Sequence, residues 1–347
     1  MLKRRHSSEY NFVGDTETGI TMRWGRTPEE DPVFAPWPEL ADIFISNHCS
    51  AGCTFCYRDS RADNSFMALE DYERVLDALT SPRWGSVFQV ALGGGEPLEH
   101  PDFLKILEAT TRRGIIANFT TNGQHVTREV AQSIAGLVGA VAISTSNLDH
   151  LDRNKIDYLV SAGIRTNLHY ILDRNSIFQA IDILHGAYRE LLADVNAVIF
   201  LTYKPRGRAD ASLCLEDGPE LRAFLASVSN NNAGVHIGFD ACFVPLLLHD
   251  TDTEAQYVDA CECAFFSIYI DEKLNVKPCS FATEGKDAWN LRHHSMEKIW
   301  KESFSAYRAG LLDQMCSADC KAAQRFHGSC AYFDQLNFCH SGPVCAR

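Results

Sequence analysis

The sequence predicts an α/β protein: an open, partial (β/α)6 barrel of parallel strands followed by a cysteine-rich extension. Three observations carry this. Between residues 41 and 204, six short apolar segments alternate with amphipathic ones. Each apolar segment is nearly continuous, as in parallel strands covered on their outer side by helices. Ten of the thirteen cysteines follow residue 210, where the alternation stops.

The elements fall in order. Residues 1–40 read as an extension, with strand, turn and strand over 10–25 and a linker containing four prolines. Strands are expected at 41–47, 86–96, 115–123, 139–146, 164–172 and 195–204. Helices are expected at 69–80, 100–114, 126–137, 154–163 and 176–191. The first helix carries Leu69, Tyr72, Leu76 and Leu79 on one face, and Gly114 stops the second. Six units are too few for a closed eight-fold barrel. Beyond Gly207 come a helix at 219–229, a hairpin over 266–281 and a helix at 295–312. The expected divisions are 1–40, 41–210 and 211–347.

The net charge of −13 argues against a general nucleic-acid or acidic-membrane binder. No apolar run approaches the roughly 18 residues of a membrane span. The first 14 residues lack the apolar core of a signal peptide. A cytoplasmic location is expected, where the cysteines would not form disulfides. The cluster Lys3-Arg4-Arg5 reads as a solvated tail.

The segment "NHCSAGCTFCYRDS" places Cys49, Cys53 and Cys56 in the loop after the first strand. Parallel α/β proteins build their sites at that end of the strands. Three thiolates on one short loop suit a 4Fe–4S cluster with one iron free of protein. Zinc is the alternative, with His48 as a further ligand. The second strand ends in "ALGGGEP", with glycines that permit close backbone approach and Glu96 as an acceptor for an ammonium group. A tight βα turn explains the same glycines.

C-x3-C-x2-C with Phe55 before the last cysteine, followed one strand later by G-G-E-P, resembles the radical S-adenosylmethionine (SAM) superfamily over roughly residues 41–345. The resemblance implies a 4Fe–4S cluster on Cys49, Cys53 and Cys56, with SAM on the fourth iron. Gly94, Gly95 and Glu96 match the motif that contacts the methionyl amino group. Phe55 and Tyr57 match positions on the adenine side. Ser144, Asn167 and His169 are the polar candidates for ribose and carboxylate contacts, and Asn122 matches a recurrent third-strand feature or a turn former. The implied reaction is reductive cleavage of SAM to a 5′-deoxyadenosyl radical, which takes a hydrogen atom from a substrate carbon. The implied electron donor is reduced flavodoxin or ferredoxin.

The tail resembles the SPASM extension of radical SAM peptide maturases, which implies one or two auxiliary 4Fe–4S clusters. Cys242, Cys261, Cys279 and Cys330 match the first site. Cys316, Cys320, Cys339 and Cys345 are the candidates for the second, in a run whose spacing departs from the family pattern. Cys214 and Cys263 have no assigned place and read as buried small hydrophobes or a hydrogen-donating thiol. Ser280 stands where anaerobic sulfatase maturases carry an acidic residue. Asp240 and Asp271 are acid/base candidates that also read as turn or surface carboxylates. Only 48 residues precede Cys49, too few for a leader-binding winged-helix domain of about 80–90 residues. Three functions follow: modification of a ribosomally made peptide by crosslink, thioether or oxidation; a small-molecule dehydrogenase or C–C bond-forming enzyme; and a non-catalytic iron–sulfur protein.

Overall fold

The computed structural model describes residues 1–259, 261–282, 289–312 and 330–333. A three-stranded antiparallel sheet, β1 (Leu2–His6), β2 (Asn11–Asp15) and β3 (Thr21–Trp24), opens the chain. The barrel wall follows as β4 (Leu40–Ser46), then β7 (Gln89–Gly94), β8 (Ile116–Thr121), β9 (Ala140–Thr145), β10 (Arg165–Leu172) and β11 (Ala197–Thr202), each parallel to its neighbour. A two-residue hairpin, β5 (Thr80–Ser81) and β6 (Gly85–Ser86), precedes β7 and shortens the strand expected at 86–96. The six expected barrel strands are all present.

Two additions extend this wall. β12 (His236–Phe239) pairs in parallel with β11, a seventh strand that the sequence pattern did not signal. At the other edge, β13 (Ser267–Ile270) runs parallel to β4, with Ser267 opposite Leu40 and Ile270 opposite Ile43. β13 turns back into β14 (Asn275–Lys277), which pairs with β15 (Trp289–Asn290). The cysteine-bearing hairpin is therefore hydrogen-bonded into the barrel sheet.

Helices cover the outer face: α1 (Leu69–Ala78), α2 (Phe103–Arg112), α3 (Arg128–Ile134), α4 (Arg153–Ser161), α5 (Ile177–Leu184), α6 (Arg189–Leu192) and α7 (Pro219–Ser229). Thr127 caps α3 and Asp152 caps α4 by accepting from the backbone of the first turn. The helix expected over 176–191 is two helices. Gly186, at φ +87°, breaks it, and a Cβ there would meet Asn232 O at 2.8 Å. α8 (Val244–Asp250) follows β12. The helix expected over 295–312 is α9 (Met296–Lys298), a π-helical turn (Ile299–Ser303) and α10 (Ser305–Leu312). That irregular turn keeps Ile299, Trp300 and Phe304 all in the core, with Trp300 Nε1 donating to Ala35 O at 3.0 Å.

The main core lies between the helices and the sheet. A second core joins the N-terminal sheet to the tail through Tyr10, Phe12, Phe88, Phe265, Phe266 and Leu311. Lys3-Arg4-Arg5 is not a solvated tail, because it forms the middle of β1. Arg5 is 7% exposed and donates to Trp37 O (2.8 Å), Pro38 O (3.0 Å) and Ser86 O (2.9 Å). Lys3 Nζ donates to Ser86 Oγ at 2.8 Å. A cation in this position satisfies two buried carbonyls of the proline-rich linker and a part-buried one of β6. Arg5→Ala is expected to lower unfolding free energy by about 2–4 kcal/mol, since these acceptors lose a charged donor. Urea denaturation measures it.

Candidate functional site

The cysteine loop begins where β4 stops. Ser46 Oγ accepts from the His48 N–H at 2.8 Å, which turns the chain off the sheet. The loop is closed at its base by Asn47 N–H to Ser65 O (3.0 Å), Cys49 N–H to Arg61 O (3.1 Å) and Met67 N–H to Ile45 O (2.8 Å). Cys49, Cys53 and Cys56 are each half-buried within it. Burial pushes the thiols of Cys49 and Cys53 up. Desolvation is the main cause of that rise, and iron bound there would offset it by holding the sulfurs as thiolates.

The glycine turn at the end of β7 locks this loop in place. Gly95 N–H donates to Ser46 O at 2.8 Å, and Glu96 N–H donates to His48 O at 2.9 Å. A Cβ on Gly95 would lie 1.8 Å from His48 O, and one on Gly94, at φ +112°, would lie 2.0 Å from Ser46 O. The glycines thus admit the cysteine loop itself. Glu96 is 1% exposed and already engaged. It accepts from Thr121 Oγ1 (2.7 Å), Asn122 N–H (2.7 Å) and Leu98 N–H (3.1 Å), and burial pushes its carboxyl up. Asn122, so held, reaches Nδ2 to within 4.0 Å of Cys49 Sγ.

A third segment clamps the loop, and the sequence reading missed it. After β11, Arg208 donates from Nε to Cys53 O (2.9 Å) and from Nη1 to Ser60 O (2.8 Å) and Asp59 Oδ1 (2.9 Å). Its own N–H donates to Cys56 O at 3.0 Å. Gly207, at φ +66°, lets the chain pass so close that a Cβ would meet Cys56 O at 2.5 Å. The string "RGRAD" offers only the glycine and a charge as signals. His48, considered above as a zinc ligand, pairs its Nε2 with Glu99 Oε2 at 3.1 Å and stacks near Phe66.

Of the other expected cofactor residues, Phe55 is half-buried in the loop. Tyr57 faces the tail: its ring packs on Phe281 at 4.7 Å, with Ser280 near its hydroxyl. Ser144 and His169 are register partners across β9 and β10. His169 Nδ1 lies 3.2 Å from Thr120 Oγ1. Asn167 sits two residues nearer the start of β10, where its Oδ1 accepts from Asn196 at 2.8 Å. The structure therefore brings Ser144 beside His169 across the sheet, while Asn167 lines the same cavity as His169.

Both acid/base candidates hold the fold. Asp271 accepts from Lys273 N–H (3.0 Å) and Asn275 N–H (2.9 Å), closing the β13–β14 turn. Asp240 accepts from Lys204 Nζ (2.6 Å) and Thr202 Oγ1 (2.7 Å). Asp42, on β4, is a half-buried carboxylate that the sequence did not signal. Burial pushes it up to about 7 against the pull of Arg58. Arg58 itself pairs with Glu272 at 3.3 Å and lies over the Phe44 ring.

Among the described tail cysteines, Cys242 lies near Cys330, and Cys263 near both Cys261 and Cys279. Cys214 is buried. Cys316, Cys320, Cys339 and Cys345 lie outside the described residues. No group of three or more His, Cys, Asp or Glu side chains among the described residues is arranged to hold a single metal ion.

Two outcomes test this geometry. Gly95→Ala is expected to abolish iron retention at Cys49, Cys53 and Cys56 after anaerobic reconstitution. Gly310→Ala, where a Cβ meets nothing within 4 Å, is expected to keep it. Burial brings His169 down to about 4 from an ordinary 6.5. Between those values the unfolded chain binds the extra proton, so stability falls as pH drops through 6.5 toward 4. His169→Gln is expected to flatten that part of the stability–pH curve, read by urea midpoints.

The Radical SAM superfamily model matches residues 43–193. The mycofactocin maturase MftC of Mycobacterium tuberculosis is 32% identical over 88 residues, which are 25% of this chain and 22% of that relative's length. The PqqA peptide cyclase of Methylorubrum extorquens is 22% identical over 328 residues, covering 88% of this chain and 83% of the relative. Streptococcus suis SuiB bound to its precursor peptide SuiA superposes with a TM-score of 0.71 at 15% identity, covering 100% of both chains. A native anSMEcpe structure with bound AdoMet and the Cp18Cys peptide superposes at 0.61, with 16% identity over 86% of this chain and 91% of that one. Both structural likenesses concern the fold. With the three-cysteine loop at the end of the first barrel strand locked to the glycine turn, residues 43–193 of this chain match a radical SAM domain.

Proposed function

We propose that this protein is a radical SAM enzyme that modifies a ribosomally made peptide at an unactivated carbon, by a crosslink, a thioether or an oxidation. The observation that carries the first half is the loop of Cys49, Cys53 and Cys56, closed at its base and pinned by the turn at Gly95 and the clamp at Arg208. Three soft sulfur donors without a fourth suit a 4Fe–4S cluster that leaves one iron to a small molecule. When bound, the cluster and SAM supply a 5′-deoxyadenosyl radical that abstracts a hydrogen atom.

The chain's own residues do the rest. Asn122 places a donor beside Cys49, and hydrogen bonds to cluster sulfur are one means by which a protein sets the potential. Ser144 and His169 form a polar pair in the barrel wall, and His169 stays neutral down to about pH 4. His169 thus presents an uncharged acceptor or donor to a cofactor's hydroxyls. Asp42, Phe44, Tyr57 and Tyr269 line the side toward the tail. Burial leaves Asp42 ready to take a proton near neutral pH, a role suited to the deprotonation that follows oxidation of a substrate.

The peptide half rests on the relatives, a maturase, a peptide cyclase and a structure with a bound precursor peptide, and on the clustering of Cys242, Cys279 and Cys330 with Cys261 and Cys263. Those thiols suit an auxiliary 4Fe–4S cluster. Reduced flavodoxin or ferredoxin is the proposed electron donor. No helix among the described residues is long and apolar enough to cross a membrane.

After anaerobic reconstitution, dithionite and SAM are expected to yield 5′-deoxyadenosine, measured by liquid chromatography. The Cys49→Ala/Cys53→Ala/Cys56→Ala variant is expected to yield none. A filled cluster without product contradicts the enzyme reading. Co-expression with short peptides from neighbouring reading frames is expected to change the mass of one of them, and no change in any contradicts the peptide half.

A further inference from the structure

The barrel wall ends in an open edge. β12 pairs with β11 on one side, and no other strand among the described residues pairs with it. Asp240 N–H donates to Phe200 O at 3.0 Å, so Gly238 and Asp240 turn their main-chain groups toward β11. By alternation Ile237 and Phe239 turn theirs away. Nothing among the described residues bonds to these outward N–H and C=O groups. Ile237, Gly238 and Phe239 line a cavity of about 950 Å³, together with Thr21 and Arg23 of β3 and with Leu40 and Gln89 at the starts of β4 and β7. Leu40 and Gln89 also line a second cavity, of about 350 Å³, inside the barrel with Asn118, Asn167 and His169. The open edge therefore leads into the barrel lumen.

An unpaired strand edge beside a roomy cavity is the setting in which an extended peptide adds as a further strand. Main-chain hydrogen bonds then give affinity, and the side-chain surroundings give selectivity. Here the lining selects the chemistry of the peptide. Glu39, Asp259 and Glu262 all line the cavity and share the single guanidinium of Arg23, at 3.2, 2.9 and 2.6 Å. Three carboxylates on one cation leave an excess of negative charge. Tyr257, 76% exposed, lines the same cavity and offers its ring face to a cation. Phe12, Val244 and Leu247 add apolar surface there, which suits the stem of a lysine or arginine side chain.

We propose that an extended peptide segment bearing a lysine or arginine adds to the open edge of β12, with its main chain bonded to Ile237 and Phe239 and its cation beside Glu39, Asp259 and Glu262. This rests on the peptide reading above and names the groups that hold the peptide. The probes are acetyl-Thr-Val-Lys-Val-Thr-amide, the same peptide with Glu in place of Lys, and the lysine peptide N-methylated at every residue. Each is titrated by calorimetry into the full chain after anaerobic reconstitution. The lysine peptide is expected to bind at least about tenfold more tightly than either of the others. In hydrogen exchange read by mass spectrometry, it is expected to slow the segment containing Ile237 and Phe239. Ile237→Pro removes one outward N–H and no bond to β11, and is expected to weaken binding about tenfold. The exchange measurement needs no variant and decides alone if Ile237→Pro unfolds. No binding of the lysine peptide, equal binding of the glutamate or N-methylated peptide, or no slowing at Ile237 and Phe239 overturns the proposal. Binding as expected, while no co-expressed peptide changes mass, defeats the peptide-modification reading and leaves the docking edge standing.

Discussion

Two backbone hydrogen bonds, from Gly95 N–H to Ser46 O and from Glu96 N–H to His48 O, hold the candidate site to the barrel. They continue the β4–β7 pairing past the ends of the strands, into the loop that carries the cysteines. The pairing is possible only without a side chain at Gly95, where a Cβ would fall 1.8 Å from His48 O, far inside van der Waals contact. A loop tied this way has little freedom to spread its sulfurs, so the ordering entropy of a metal site is met when the barrel folds.

Other features attach to this contact. Glu96 extends it to the next strand by accepting from Thr121 and Asn122, so three consecutive strand ends are fixed relative to one another. Arg208 brings in the end of β11 from across the barrel mouth. Tyr57, one residue past Cys56, reaches the tail at Ser280, one residue past Cys279. The two cysteine-bearing segments therefore touch through side chains adjacent to their thiols. Pairing of β13 with β4 provides the frame for that contact, since β4 leads into one segment and the β13–β14 hairpin into the other.

The sequence made much of this legible, for identifiable reasons. Barrel strands bury the face beneath the helices, so apolar residues recur along each at regular spacing, and all six expected strands are found. The cysteine spacing and the glycine run are local patterns and could be read without knowing the fold. Features that depend on distant partners were not legible. Arg5 reads as a charged tail until the carbonyls of Trp37, Pro38 and Ser86 are seen around it. Glu96 reads as a ligand for an ammonium group, yet its oxygens are used by the third strand. Arg208 and Asp42 carry no motif, and their placement comes from strand order alone. The short β12 was missed because four residues with a glycine give no periodicity.

The loop of Cys49, Cys53 and Cys56 is proposed to hold a cluster with one iron open to SAM. Electron paramagnetic resonance of the dithionite-reduced protein, before and after adding SAM, tests it most directly. The cysteines beyond residue 241 are substituted beforehand, so that only the barrel loop can carry a cluster. The account predicts a signal from the barrel cluster whose g values shift when SAM is added. A fully formed cluster whose spectrum is unchanged by saturating SAM would contradict it.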